Sequence, residues 1–278
     1  MPELPEVETM RRGILGAIGG KIIGASRVRC RRRPIAITPN LPAIRRRLLG
    51  QAIADVGRLG KRVVIHVSSG DALVLEPRMT GLVLVADPPS LEHLRFRIDL
   101  AGAAVPTIWY WDRRGLGSVR LWSAGELAQQ FGTGRLGPDA LSLSAEELAA
   151  RFKASRRAVK VALLDQRALA GVGNLYASEI LHLAGIHPAR RCCRLSAAQW
   201  EAIHARLREV LLDAIAHEGS TLSDGTYRNA LNEAGGYQNH HRVYDRAGVV
   251  CRQCSRGIIR RIIQAQRSTF YCPRCQRA

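Results

Sequence analysis

The 278-residue chain carries 42 Lys and Arg against 23 Asp and Glu, a formal net charge of +19, with arginine spread through its whole length. An excess of one sign on this scale suits a polyanion such as nucleic acid, and no uncharged apolar run is long enough to span a bilayer. The first ten residues hold three acids and lack the apolar segment of a signal peptide, and seven cysteines, four of them in two C-x-x-C pairs, suit a metal site in a reducing cytosol better than a disulfide framework.

In chain order, Val7, Met10, Ile14 and Ile18 recur at helical spacing from Pro5 to Ile18, and Gly19-Gly20 ends the run. Pro5 suits the first helical position, and Glu6 and Glu8 are first-turn acids placed for the helix dipole. Pro2 lies just ahead. With the initiator methionine removed, Pro2 is a terminal secondary amine; such a group titrates at about 7.7–8.0 and can form an iminium ion with a sugar aldehyde carbon. Glu3 stands beside it to move protons. On local sequence alone, a plain helix start is the better explanation of the octapeptide.

Strands are expected over Lys21 to Arg29, Ala52 to Gly57, Arg62 to Val67, Ala72 to Leu75, Leu82 to Ala86, His93 to Leu100, Pro106 to Trp111 and Ser118 to Trp122, interrupted by one helix from Pro42 to Leu49. This reads as an antiparallel sandwich or barrel. Ser123 with Glu126, Ser144 with Glu147 and Ser196 with Gln199 have capping-box spacing and open helical runs. The glycine-rich stretch Gly132-Thr133-Gly134-Arg135-Leu136-Gly137-Pro138 marks a domain boundary. Further helices are expected near 144–152, 156–165, 175–184 and 197–217, then a polar loop at 218–240 and a small β-rich unit from Val243 onward. The expected division is 1–131, a linker at 132–143, 144–240 and 241–278.

Cys251-x2-Cys254-x17-Cys272-x2-Cys275 has the spacing of a closed tetrahedral zinc site, with a hairpin between the pairs. Four thiolates leave no open position, so one structural Zn2+ is expected. Gly171-Val172-Gly173-Asn174 follows Leu163-Leu164-Asp165-Gln166 and puts Asn174 at a helix cap, either a plain cap or a phosphate cradle, with Lys160 and Arg156 on the helix before it. Lys61 after Gly60, Met79-Thr80-Gly81 and Asp112-Arg113-Arg114-Gly115-Leu116-Gly117 occupy turns. They are ordinary turn residues or the wedges and arginine that hold open a duplex after base displacement.

Taken together, Pro2-Glu3-Leu4-Pro5-Glu6-Val7-Glu8-Thr9, Gly60-Lys61, Arg78-Met79-Thr80-Gly81, Gly171-Val172-Gly173-Asn174-Leu175-Tyr176-Ala177-Ser178-Glu179 and the terminal cysteine pairs resemble the bacterial formamidopyrimidine-DNA glycosylase family, in one order from Pro2 to Cys275. The resemblance implies an α+β fold: an N-terminal helix on an antiparallel β-sandwich, then a helix–two-turn–helix domain with a C-terminal zinc ribbon. It implies a base-excision enzyme that removes oxidised purines from damaged double-stranded DNA and nicks the strand, acting as a cytoplasmic, nucleoid-associated monomer without a membrane. Pro2 would be the Schiff-base nucleophile, Glu3 the acid, Lys61 the proton donor linked to β-elimination and Arg267 the one linked to δ-elimination. Asn174, Lys160, Arg156 and His93 would fall on phosphates. Met79, Arg114 and Leu116 would fill the vacated space, and Glu6 would sit close to the flipped base.

Four departures from the family pattern stand out. Glu76 occupies a position commonly held by histidine, Leu116 is a smaller plug than the usual phenylalanine, and the loop 218–240 diverges most. The cysteine pairs are separated by one residue more than the usual sixteen, which implies a bulge in the hairpin. The related endonucleases that prefer oxidised pyrimidines typically have glycine where Leu4 stands. A non-catalytic DNA-binding member would not need Pro2, Glu3 and Lys61 together, and an RNA- or ribosome-binding module would leave the strand domain without a task.

Overall fold

The computed structural model describes residues 2–28, 30, 33–132 and 134–277. Met1, Arg29 at the end of the first expected strand and Thr133 in the expected linker lie outside the described residues. By internal contact the chain forms two compact units, Met1–Gly132 with Ile215–Gln238, and Thr133–Ala214 with Asn239–Ala278.

The first unit begins with helix α1 (Leu4–Gly13), followed by a short 3-10 turn, Leu15–Ala17. The helix is thus shorter than the apolar spacing predicts: Val7, Met10 and Ile14 are fully buried, but Ile18 beyond the break is 42% exposed. Then come β1 (Lys21–Arg27), β2 (Ala36–Thr38), α2 (Leu41–Leu48), β3 (Ile53–Leu59), β4 (Arg62–Val67), β5 (Ala72–Glu76), β6 (Gly81–Leu84), β7 (Leu94–Ala101), β8 (Thr107–Asp112), β9 (Ser118–Trp122) and α3 (Ala124–Phe131). One sheet has the order β1-β7-β8-β6 and the other β2-β9-β5-β4-β3. The inward residues of both, including Ile22, Phe96, Ile98, Val63, Ile65 and Leu73, share one core with Val7, Met10 and Ile14 of α1. Alternation leaves β2 unmarked because its three residues are exposed or half-buried. It pairs parallel with β9, so the sandwich is not antiparallel throughout.

The second unit contains α4 (Ala145–Phe152), α5 (Val159–Leu163), α6 (Asn174–Leu183) and most of α7 (Ala197–Ala216), then the hairpin β10 (Arg260–Gln264) and β11 (Arg267–Tyr271). Helix α5 is shorter than the expected 156–165, and Arg156 lies in the loop before it rather than on it. Local chemistry fixes the helix starts. Asn40 accepts from the Ala43 N–H at 3.0 Å, capping boxes open α3 and α4, and Ser196 exchanges two bonds with Gln199 ahead of α7. Phe152 stacks on Trp200 at 5.9 Å, joining α4 to α7. The β10–β11 ladder runs in unbroken register from Arg260↔Tyr271 to Gln264↔Arg267, so the longer cysteine spacing is not a bulge in this hairpin. The turn instead puts Ala265 and Gln266 at φ 46 and 60, the pair of positive values that a tight two-residue connection needs.

One ion cluster fastens α1 to the sheet beneath it. Glu8 accepts from Arg11 (2.9 and 3.0 Å), Arg12 (2.9 Å) and Arg58 on β3 (3.1 Å), while Arg11 also donates to the Val56 carbonyl at 3.1 Å. Burial alone would raise the Glu8 pKa, but these hydrogen bonds and the Arg11 charge outweigh it and hold the carboxyl at about 2. A depressed carboxylate stabilises the fold above its ordinary pKa, and that contribution disappears as pH falls through the folded value. We therefore expect stability to drop by about 2–3 kcal/mol between pH 4.5 and 2 through this group. In Glu8→Gln that part of the pH dependence should be missing when unfolding is followed by denaturant titration; an unchanged acid limb would contradict the assignment.

Candidate active site

Pro2 and Glu3 are buried where α1 begins. The Glu3 N–H donates to Glu6 Oε2 at 2.8 Å, the return half of a capping box. The other oxygen, Glu6 Oε1, accepts the Ser220 N–H at 2.9 Å, and Tyr227 OH donates to the Glu218 carbonyl at 2.9 Å. Gly219 makes this approach possible, since it has φ +78 and an added Cβ would lie 2.9 Å from the Glu6 side chain. Glu6 is 2% exposed, so its carboxylate ties the helix start to the 218–227 loop. Pro2, Met79, Thr80, Leu82, Ser220 and Tyr227 are among the residues lining one cavity of about 10 Å3, the size of a single water.

Lys61 is half-buried in the two-residue turn between β3 and β4, beside Gly60 at φ 57. Arg58 shapes that turn: its Nη1 donates to the Gly60 carbonyl at 3.0 Å while its Nε is held by Glu8. The cluster that fastens α1 thus also fixes the backbone carrying Lys61. Sequence spacing gives no hint of this, because Glu8 and Arg58 are far apart in the chain.

The two expected wedge loops share one anchor, the fully buried Asp112. It accepts from Thr80 Oγ1 at 2.5 Å, the Arg114 N–H at 3.2 Å and the Gly117 N–H at 2.8 Å. Met79 (37% exposed) and Arg114 project outward while Leu116 is half-buried. Arg78, beside the methionine, holds φ 52, a strained value for a side chain of its size. Glu76 pairs with Arg62 at 2.7 Å and lies 3.8 Å from Arg78, so the acid that replaces a histidine has cationic partners on its own surface. His93 precedes β7 instead of opening it, and its ring is 8% exposed, edge-on to Trp111 at 5.4 Å.

In the second unit Lys160 is 1% exposed, so it is not the surface cation the sequence suggests. Its Nζ donates to Asn174 Oδ1 (2.6 Å), Thr269 Oγ1 (2.7 Å) and the Ser268 carbonyl (3.1 Å). Asn174 Nδ2 also donates to the Ser268 carbonyl at 3.0 Å. Because that side chain is engaged with the hairpin it caps nothing; the N-cap of α6 is Gly173 and Asn174 is the first helical residue. Arg267 opens β11 and is exposed, as is Arg156 in its loop. Glu179 is the anchor the motif reading missed. Fully buried, it accepts the N–H groups of Arg242, Val243 and Tyr244 at 2.8–2.9 Å, and burial pushes its pKa up despite those bonds.

The thiols of Cys251, Cys254, Cys272 and Cys275 lie within 4.8 Å of one another, with Sγ pairs 251–275 and 254–272 both at 3.8 Å. A tetrahedron with Zn–S of about 2.3 Å has edges of about 3.8 Å, so the four residues fit and hold one zinc ion. The ion supplies structure here, since four thiolates leave no position for a reactant. His182 adds a contact at 3.4 Å between its Nε2 and Cys251 Sγ. Removing the metal by chelation should lower the melting temperature and free Lys160 and Asn174 from Ser268 and Thr269, and restoring zinc should reverse this. Cys272→Ser should behave like the metal-free protein. A melting curve unmoved by verified zinc loss would contradict the structural role.

Three family models match the chain in succession. The family models described as formamidopyrimidine-DNA glycosylase N-terminal domain, formamidopyrimidine-DNA glycosylase H2TH domain and zinc finger found in FPG and IleRS match residues 1–119, 136–226 and 248–278. The chain is 39% identical over 282 residues to formamidopyrimidine-DNA glycosylase of Chloroflexus aggregans, covering 99% of this chain and 98% of the relative, and 38% identical to the Cereibacter sphaeroides protein over the full length of both. Among solved structures, MutM (Fpg) from Thermus thermophilus superposes with a TM-score of 0.85 at 35% identity, covering 99% of this chain and 98% of that one. Lactococcus lactis Fpg in complex with DNA containing an abasic site gives 0.86 at 29% identity, covering 99% and 100%. The chain belongs to the formamidopyrimidine-DNA glycosylase family, base-excision repair enzymes with glycosylase and AP lyase activity.

Proposed function

We propose that this chain removes oxidised purines, 8-oxoguanine and formamidopyrimidines, from duplex DNA and then cuts the strand by β,δ-elimination. What supports the reading most is that Pro2 lines the same cavity as Met79 and Ser220, with Glu3 buried next to it at the helix start. Once Met1 is removed, the Pro2 nitrogen attacks C1′ of the damaged nucleotide. The glycosidic bond breaks with its electron pair on the departing base, and Glu3 supplies the proton that assists it. The C1′–O4′ bond then opens, with Glu3 delivering the proton that O4′ takes up, and the iminium left at C1′ acidifies the C2′ hydrogen. Loss of that proton expels the 3′ phosphate with Lys61 as proton donor, and a second elimination, assisted by Arg267, releases the 5′ phosphate and leaves a one-nucleotide gap.

Met79, Arg114 and Leu116 occupy the space the base leaves, with Asp112 keeping their loops together. Because the cavity at Pro2 has room for only about one water, the base enters as the 220–227 segment yields, with Glu6 close by. Asn174, Arg156 and His93 hold phosphates. Lys160 acts through Asn174 and the hairpin, its ammonium being enclosed by three acceptors. The partner is damaged double-stranded DNA, in keeping with the Lactococcus lactis complex and the +19 charge. Among the described residues no helix is long and apolar enough to cross a membrane. We read residues 1–131 as the catalytic module, 132–143 as a linker, 144–240 as the helical DNA-binding module and 241–278 as the zinc ribbon of a monomer that works on the nucleoid in the cytoplasm.

Duplexes holding a single oxidised guanine, an oxidised pyrimidine or an abasic site test this by their cleavage products. The wild type should cut the guanine lesion in preference to the pyrimidine and leave phosphates on both sides of the gap. Arg267→Ala should accumulate the product of the first elimination, and Lys61→Ala should slow strand cleavage more than base release. Equal or preferred cutting of the pyrimidine lesion would overturn the substrate assignment.

A further inference from the structure

The second unit holds a cavity that the reaction above does not use. It has a volume of about 490 Å3 and is lined by His187, Ala189, Arg190, Arg191 and Arg194, within the size range of small-ligand sites. From 180 to 200 the sequence contains no Asp or Glu. Among the described residues no hydrogen bond or ion pair engages the side chains of these three arginines, whereas Arg157 close by is held by Asp165 at 3.0 Å. Guanidinium groups gathered on one concave surface without a counter-charge repel one another until an anion arrives.

Most backbone donors along this segment are already engaged within the protein. The Arg190 N–H donates to the His187 carbonyl, the Arg194 N–H to the Arg191 carbonyl and the Cys193 N–H to the Ser155 carbonyl. His187 Nδ1 accepts from the Ala189 N–H at 3.2 Å, which leaves its Nε2–H as the ring's remaining donor. What the pocket offers is therefore a set of forked side-chain donors, the geometry that matches phosphate oxygens bidentately.

Its attachment says which phosphate. The Arg190 carbonyl accepts from the Val159 N–H at 2.8 Å and the Pro188 carbonyl from the Lys160 N–H at 3.3 Å, while Ala158 bridges to Arg191. The pocket is thus bonded edge to edge onto the segment that carries the exposed Arg156, and continues its basic surface. We propose that the arginine-lined pocket at 187–194 binds a phosphodiester group of duplex DNA. The inference rests on the DNA-binding reading above.

The test is the salt dependence of binding to a lesion-bearing duplex, measured by fluorescence anisotropy for the wild type and for Arg190→Gln/Arg191→Gln/Arg194→Gln. Each phosphate contact contributes about 0.9 to the slope of log K against log salt, so the variant should bind more weakly with a slope shallower by about 1. The triple Arg→Lys variant, which keeps the charges, should recover most of it. Equal slopes for wild type and glutamine variant, with both melting normally, would overturn the proposal. So would loss of inorganic pyrophosphate binding in the glutamine variant with an unchanged DNA slope, since the pocket would then serve a free anion. Failure of the wild type to bind the duplex at all would instead strike the proposed function.

Discussion

The start of helix α1 is held against a distant loop by one buried carboxylate. Glu6 divides its two oxygens between the Glu3 N–H and the Ser220 N–H, 214 residues further along. Both donors are buried, so removing the acceptor would leave two unpaired N–H groups at a cost of about 1–3 kcal/mol each. The first bond orients the residues at the start of α1, and the second brings a distant loop against them. A second acid on the same helix extends that junction. Glu8, two residues further along the helix, fastens the helix to β3 through Arg11 and Arg58, and Arg58 in turn shapes the Lys61 turn. Two acids on one helix thereby set the positions of Pro2, Glu3, the 218–227 loop and Lys61.

Cations in this protein have two distinct uses. Some, such as Arg58, Arg95 and Lys160, are turned inward and fixed by acceptors. Arg95 is 2% exposed, with its Nε on the Asp112 carbonyl at 2.8 Å, which stiffens the loop that presents Arg114. Others, including Arg114, Arg156, Arg191, Arg194 and Arg267, are exposed. Composition counts both kinds alike. The inward set makes rigid mounts, and the outward set is what a phosphate backbone would meet.

What can be read in advance follows the range of the interaction. Capping boxes at Ser123 and Ser144, the β3–β4 hairpin and the four-cysteine cluster are legible because each depends on residues a few positions apart or on ligand chemistry with a fixed spacing. The three-residue β2 is not, since it neither alternates nor buries a face. Lys160 reads as a phosphate contact on the expected helix 156–165; its burial depends on Ser268 and Thr269, more than a hundred residues away. The grip of Glu179 on 242–244 and that of Glu6 on Ser220 are equally non-local. The octapeptide is ambiguous for a different reason: a helix start and a positioned nucleophile need the same residues, so local spacing alone does not separate them.

The claim that α1 exists to aim the Pro2 amine is tested most directly by trapping. Incubation with duplex DNA bearing an abasic site or an oxidised guanine, followed by borohydride reduction and peptide mapping, should locate the covalent adduct on the N-terminal peptide that begins with Pro2. A chain that retains Met1 should form none. An adduct on Lys61 or another lysine, or normal trapping with Met1 in place, would contradict the account.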